Sequence, residues 1–146
     1  DGKRLVIEIK CGVEVLPELQ RVINASGKSP QQLLIISFKY DVCRESKKLF
    51  PQIPVLHLSG FKNDTGAWKP RIEDLIQQAK AAGLEGLNLS HEGPLNEETI
   101  RAIHAAGLKC YVWTVDKTPI AQKFLSAGID GITTNRPEWL RQQLGL

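Results

Sequence analysis

The sequence predicts an α/β fold built on a parallel sheet, and three observations carry that prediction. Short apolar runs alternate with longer amphipathic segments from end to end. The runs are mostly four to six residues and rich in Val, Ile, Leu or aromatics, as buried parallel strands should be. A glycine step also recurs, in Ala82-Gly83-Leu84-Glu85-Gly86-Leu87, Ala106-Gly107-Leu108-Lys109-Cys110-Tyr111 and Ala127-Gly128-Ile129-Asp130-Gly131-Ile132. Each copy places glycine where a helix ends in the left-handed conformation and re-enters a strand within about three residues.

In order, the strands are expected at Leu5–Ile9, Leu33–Phe38, Val55–Leu58, Leu87–Leu89, Cys110–Val115 and Gly131–Thr134. Between and after them, helices are expected at Val13–Ser26, Asp41–Phe50, Ile72–Ala82, Asn96–Ala106, Pro119–Ala127 and Pro137–Leu144. Ile72, Leu75, Ile76 and Ala79 put one apolar stripe on one helix face. Asn96 before Thr99, and Thr118 before Pro119, read as helix starts with a cap and a first-turn proline. Links from helix to strand are short, whereas Ser59–Pro70 and Ser90–Pro94 are longer links from strand to helix. In open α/β sheets and closed barrels alike, ligands bind at the carboxyl ends of the strands, the side these long links occupy.

Composition bounds the function. With 146 residues, 42% of them apolar, the chain has enough material for one domain that buries about 68–70% of its unfolded surface. A net charge of +3 without a basic stripe argues against a nucleic-acid partner. No apolar stretch approaches the ~20 residues of a membrane helix, and no signal-peptide pattern opens the sequence. The compartment is left open, with a lean to the cytoplasm. Cys11, Cys43 and Cys110 are widely spaced and odd in number, so they read as reduced packing residues rather than a disulfide or zinc framework. His57, His91 and His104 lack metal-ligand spacing.

The first strand carries the sharpest chemistry. Glu8 and Lys10 alternate with Ile7 and Ile9, so they share one face at its carboxyl end. A carboxylate beside an ammonium in a buried parallel strand is costly unless it is paired or holds something. It reads as a simple salt bridge, as two rim residues in water, or as a metal-binding carboxylate beside a cation aimed at a phosphate. Other strand ends are also non-aliphatic: Ser37-Phe38, His57, Asn88, Trp113-Thr114 and Thr133-Thr134-Asn135. Each has a bland alternative: Phe38 and Trp113 as core, His57 as a satisfied buried histidine, Asn88 as a sheet-to-loop hydrogen bonder. Six such ends on one side exceed what core packing alone requires. His91-Glu92 and Trp68 lie in the long links as lid candidates, and His104 reads as a helix-end cap.

The strings LVIEIK at Leu5–Lys10, IISF at Ile35–Phe38, YVWTVD at Tyr111–Asp116 and DGITTNRP at Asp130–Pro137 resemble the glycerophosphodiester phosphodiesterase family, in order and at compatible spacing along essentially the whole chain. The resemblance implies a (β/α)8 TIM-barrel fold, of which residues 1–146 supply six β/α units, the third to the eighth. It implies hydrolysis of glycerophosphodiesters to an alcohol and sn-glycerol 3-phosphate with a divalent metal, Mg2+ or Ca2+. By the same resemblance Glu8 is a metal ligand, Lys10 the catalytic lysine that meets the phosphate, and Phe38 and Trp113 substrate-side aromatics. Ser37, His57 and Asn88 stay as further candidates from their strand ends. Asp116 stands where the family commonly has asparagine and Asn135 where it has aspartate; both keep an oxygen acceptor.

The family's His-Arg-Gly strand, its second glutamate with an aspartate, and its second catalytic histidine have no counterpart in this sequence. General acid–base help of about 10²–10⁴-fold would therefore be missing, together with most of the metal's ligands. The expectation is a chain that is inactive alone and needs a complementing amino-terminal segment or a second copy. The alternative is a non-catalytic half-barrel serving as a binding or assembly module. A doubly wound receiver-like or flavodoxin-like domain would require an acidic cluster or phosphate loop after the first strand, and neither occurs.

Overall fold

The computed structural model describes residues 3–146. A parallel sheet takes β1 (Leu5–Glu8), β2 (Leu33–Ser37), β3 (Val55–Ser59), β6 (Gly86–Ser90), β7 (Lys109–Trp113) and β8 (Gly131–Ile132), hydrogen-bonded in that order. Helices α1 (Leu16–Ala25), α2 (Tyr40–Leu49), α3 (Ile72–Ala81), α4 (Glu97–Ala105) and α5 (Thr118–Ser126) connect successive strands, and α6 (Pro137–Leu144) follows β8. Each predicted strand and helix is present, with ends shifted by a few residues. The first predicted helix opens as a 3-10 turn over Val13–Val15 before α1 begins.

Alternation along the strands sorts side chains into two layers. Leu33, Ile35, Val55, Leu87 and Val112 face the helices and join Val42, Leu75, Ile100 and Phe124 in the main core. Leu34, Ile36, Leu56 and Leu58 point the other way and pack with Tyr111 and Trp113. In a flat sheet at about 4.8 Å per strand, β2 and β7 would lie roughly 14 Å apart. Phe38 and Trp113 nevertheless meet with ring centroids 5.5 Å apart, so the sheet curls around its inner layer. At Gly131 a Cβ would sit 2.7 Å from the Tyr111 ring, so any larger residue there would displace that ring from the inner layer.

The repeated glycine step does what its sequence predicts. Gly83, Gly107 and Gly128 have φ of +65°, +79° and +83°, ending α3, α4 and α5. Two residues later the repeat places Glu85 and Asp130, and each carboxylate accepts the backbone N–H at the start of the neighbouring strand, Val55 and Cys110, at 2.8 Å. Lys47 pairs with Glu85, while Lys109 and His104 each approach Asp130 at 2.8 Å. The repeat thus pins the amino ends of the strands. His104 works there as Asp130's partner.

Local rules hold at some helix starts and shift at others. Asn96 caps α4 as expected, its Oδ1 accepting from the Thr99 N–H at 3.0 Å while the Thr99 hydroxyl oxygen accepts from the Asn96 N–H at 2.8 Å. Thr118 instead lies inside α5, with Lys117 at the cap position. Cys43 and Cys110 are buried, and burial pushes both thiols up to about 12; Cys11 is exposed, contrary to its reading as a packing residue. The link Ser59–Pro70 holds a hairpin that the sequence reading leaves out, β4 (Lys62–Asp64) against β5 (Ala67–Lys69). Its turn runs through Thr65 and Gly66 at φ +67° and +83°, the primed geometry that suits a two-residue hairpin. Asn63-Asp64-Thr65-Gly66 is a turn signal, but arms exposed at every position carry no apolar alternation.

Candidate active site

Glu8 ends β1 on the concave side, and Lys10 follows two residues later. Glu8 Oε2 and Lys10 Nζ lie 3.8 Å apart, with the lysine side chain 80% exposed. A pair this open contributes little to stability, so neither group is committed to the other.

Glu8 lines a pocket of about 170 Å³ on the concave side together with Ile36, Phe38, Leu58, Asn88, Trp113, Thr114 and Thr133. Phe38 and Trp113 stand edge to face, with their planes at 85°. Trp113 Nε1 donates to the backbone carbonyl of Asn88 at 3.1 Å, which fixes the indole. Asn88 is buried, and its Oδ1 finds no hydrogen-bond partner among the described residues.

The strand ends separate into two groups. Glu8, Phe38, Asn88 and Trp113 come together at the pocket, while Ser37 and His57 sit one residue out of phase and face the helices. Ser37 is fully buried; its hydroxyl donates to the Ile9 carbonyl at 2.7 Å and accepts from the Lys39 N–H at 3.2 Å. It thereby fixes the backbone between Glu8 and Lys10. His57 tilts against Tyr40, with ring centroids 5.8 Å apart. Burial pushes its imidazole below the ordinary value, more strongly than its hydrogen bond to the Phe38 backbone raises it.

Other polar groups hold the rim. Asp116 Oδ1 accepts from the Asn135 N–H and the Thr134 hydroxyl, and Oδ2 from the Asn135 side-chain amide, all at 2.8 Å. These bonds, the Asn135 side chain first, hold the Asp116 carboxyl below its usual range. The His91 N–H donates to the Trp113 carbonyl at 2.8 Å. Trp68 lies on β5 beside Arg71, Pro94 and Thr99, away from the pocket lining. Ile36 and Leu58 complete the floor.

The donor set does not make a metal centre by itself. Among the described residues, no group of three or more His, Cys, Asp or Glu is placed to hold an ion. Glu8 is the one carboxylate lining the pocket, well short of the six to eight oxygens around Ca²⁺ or the octahedron around Mg²⁺. The wall does offer a cation at its rim, one carboxylate, a buried amide and two aromatic rings, which suits holding an anionic ligand with an uncharged part.

Residues 4–139 match the glycerophosphoryl diester phosphodiesterase family. A glycerophosphodiester phosphodiesterase of Caldanaerobacter subterraneus subsp. tengcongensis is 26% identical over 92% of this chain and 52% of its own length. The dermonecrotic toxin LvSicTox-alphaII1 of Loxosceles variegata is 30% identical over 79% of this chain and 48% of its own. Among solved structures, a glycerophosphodiester phosphodiesterase from Parabacteroides distasonis superposes with a TM-score of 0.70 at 23% identity, covering 97% of this chain and 57% of that one. An Oleispira antarctica phosphodiesterase, solved with the product sn-glycerol-3-phosphate, gives 0.76 at 20% identity, covering 99% and 56%. The chain spans about half the length of the curated relatives it matches. The curled sheet of six parallel strands is the shared TIM-barrel architecture, and the chain belongs to the glycerophosphoryl diester phosphodiesterase family.

Proposed function

We propose that this chain forms one wall of a phosphodiesterase site that hydrolyses glycerophosphodiesters to an alcohol and sn-glycerol 3-phosphate. The observation that carries the reading is the uncommitted Glu8–Lys10 pair at the carboxyl end of β1, beside a pocket flanked by Phe38 and Trp113. Lys10 meets the phosphate, where an ammonium offsets charge on the non-bridging oxygens. Phe38 and Trp113 line the substrate side and keep water from its apolar surface. In the overall reaction water adds to phosphorus, the bond to the alcohol oxygen breaks, and that oxygen takes a proton. No histidine lines the pocket among the described residues, so the proton donor and acceptor belong to the part of the site this wall does not supply.

A divalent cation, Mg2+ or Ca2+, belongs to the same reading, with Glu8 as one ligand in a shell completed by a further segment or a second copy. On this reading the chain binds but does not turn over by itself. Isothermal titration of the chain with sn-glycerol 3-phosphate tests it: binding is expected, and Lys10→Ala should weaken it by about tenfold or more. Absence of binding, or binding indifferent to Lys10, would remove the reading. Hydrolysis of glycerophosphocholine by the chain alone with added Mg²⁺ or Ca²⁺ would overturn the need for completion. The Glu8 single-carboxylate arrangement also supports the alternative of a non-catalytic binding module, for which no added segment would ever restore turnover.

A further inference from the structure

We infer that the side-chain amide of Asn88 is the specificity group of this site, recognising a hydroxyl on the uncharged polyol part of the ligand. The inference rests on the phosphodiester reading above and deepens it. Asn88 is 97% buried, at 3% exposure, and its Oδ1 has no partner among the described residues. Its register partners on β3 and β7 are Leu58 and Tyr111, so the amide interrupts an otherwise apolar inner layer. A buried amide left unpaired destabilises the fold, and such groups persist where a ligand or water completes them. The neighbouring indole does not complete it: Trp113 Nε1 is already donated to the Asn88 backbone carbonyl.

Placement and chemistry narrow the ligand group. The charged residues, Glu8 and Lys10, belong to the β1 end of the wall, whereas Asn88 lies on β6, with β2 and β3 between. An anionic phosphate held at Lys10 leaves the neutral remainder of the molecule to extend across the pocket floor. An amide offers both an acceptor and donors without charge, which matches a hydroxyl's own donor and acceptor. Phe38 and Trp113 give the carbon side of a polyol an apolar surface. Thr114 and Thr133, just past the ends of β7 and β8, border the same pocket. A phosphate at Asn88 would lack the cation that Lys10 supplies, and a carbonyl oxygen facing it would repel.

The experiment compares sn-glycerol 3-phosphate with n-propyl phosphate, which keeps the phosphate and carbon chain but lacks both hydroxyls. Titrations of the full chain are expected to show about a two- to tenfold preference for the glycerol compound, the scale of one net hydrogen bond. Asn88→Leu should abolish that preference, whereas Lys10→Ala should weaken both ligands equally and keep the ratio. Without ligand, Asn88→Leu should melt no lower than the parent, because it removes an unpaired amide; a residue serving structure would lose stability. Should the leucine variant fail to fold, Asn88→Ala reads the same ratio. Preference retained in the folded variant, or no preference in the parent, overturns the role of Asn88 while leaving the phosphate reading in place. Failure of the parent to bind either compound removes both.

Discussion

Phe38 and Trp113 meet edge to face across the concave side of the sheet, with centroids 5.5 Å apart and planes at 85°. Phe38 is 51% exposed, so its ring lies at the pocket mouth rather than in the core. Phe38→Ala should therefore cost about 0.5–1.5 kcal/mol, the scale of an aromatic pair with little burial behind it. Urea unfolding measures this. A loss above about 3 kcal/mol, the scale of a buried Phe truncated in a core, would contradict a site-facing role.

His57 is placed for a different experiment. Burial holds its imidazole below the ordinary value, so the unfolded chain binds a proton at a higher pH than the folded one. Its stability contribution is then fully present above the unfolded pKa near 6.5 and is lost as pH falls toward the lower folded pKa. Melting temperature should decline from pH 7 to 5, and His57→Phe, which keeps an aromatic ring against Tyr40, should flatten that decline. An unchanged slope in the variant would assign the loss to other groups.

Ser37 and His57 also mark where sequence stops being a guide to the site. Strand ends are legible from apolar runs and the glycine steps, because both reflect local backbone preference and burial. Which face a strand-end residue takes depends on register, and a shift of one residue moves it to the other side of the sheet. Glu8, Phe38, Asn88 and Trp113 fall on the inner face, Ser37 and His57 on the outer. The floor residues Ile36 and Leu58 carry no chemical signal, since an apolar residue in a strand reads the same on either face. The arms of the 62–69 hairpin leave no trace in the sequence for a related reason: the hairpin buries neither face, so they show no periodicity.

Asp130, in the link before β8, ties β7 and α4 together by accepting from the Cys110 N–H while pairing with Lys109 and His104. Burial alone would raise its carboxyl, but the Cys110 amide, Lys109 and His104 outweigh burial and hold it below the ordinary range. A carboxylate depressed in this way stabilises the fold above its unfolded pKa, and the contribution is lost as pH falls through the folded value. Asp130→Ala should destabilise by about 1–3 kcal/mol at neutral pH, because it strands the Cys110 N–H. Lys109→Ala, at an exposed partner, should cost under about 1 kcal/mol. Equal losses from the two variants would mean that the ion pair, not the backbone bond, holds the node.

The two outer strands of the sheet, β1 and β8, each have one unpaired edge among the described residues. Leu5 and Val6 on β1 are 56% and 52% exposed, a concentration of apolar surface beside free backbone N–H and C=O groups. At the other edge, a groove of about 240 Å³ runs beside β8 between Leu125, Ile132, Leu140 and Leu144. Open edges flanked by apolar residues pair with other chains unless charge or a bulge blocks them. The chain alone should therefore associate with rising concentration in sedimentation velocity. The double substitution Leu5→Lys and Val6→Lys should reduce that association, since lysine on an edge strand opposes pairing while leaving the buried face of β2 untouched. If the parent chain stays a stable monomer across the concentration range, neither edge is available for pairing, and completion of the site by a second copy loses its physical basis.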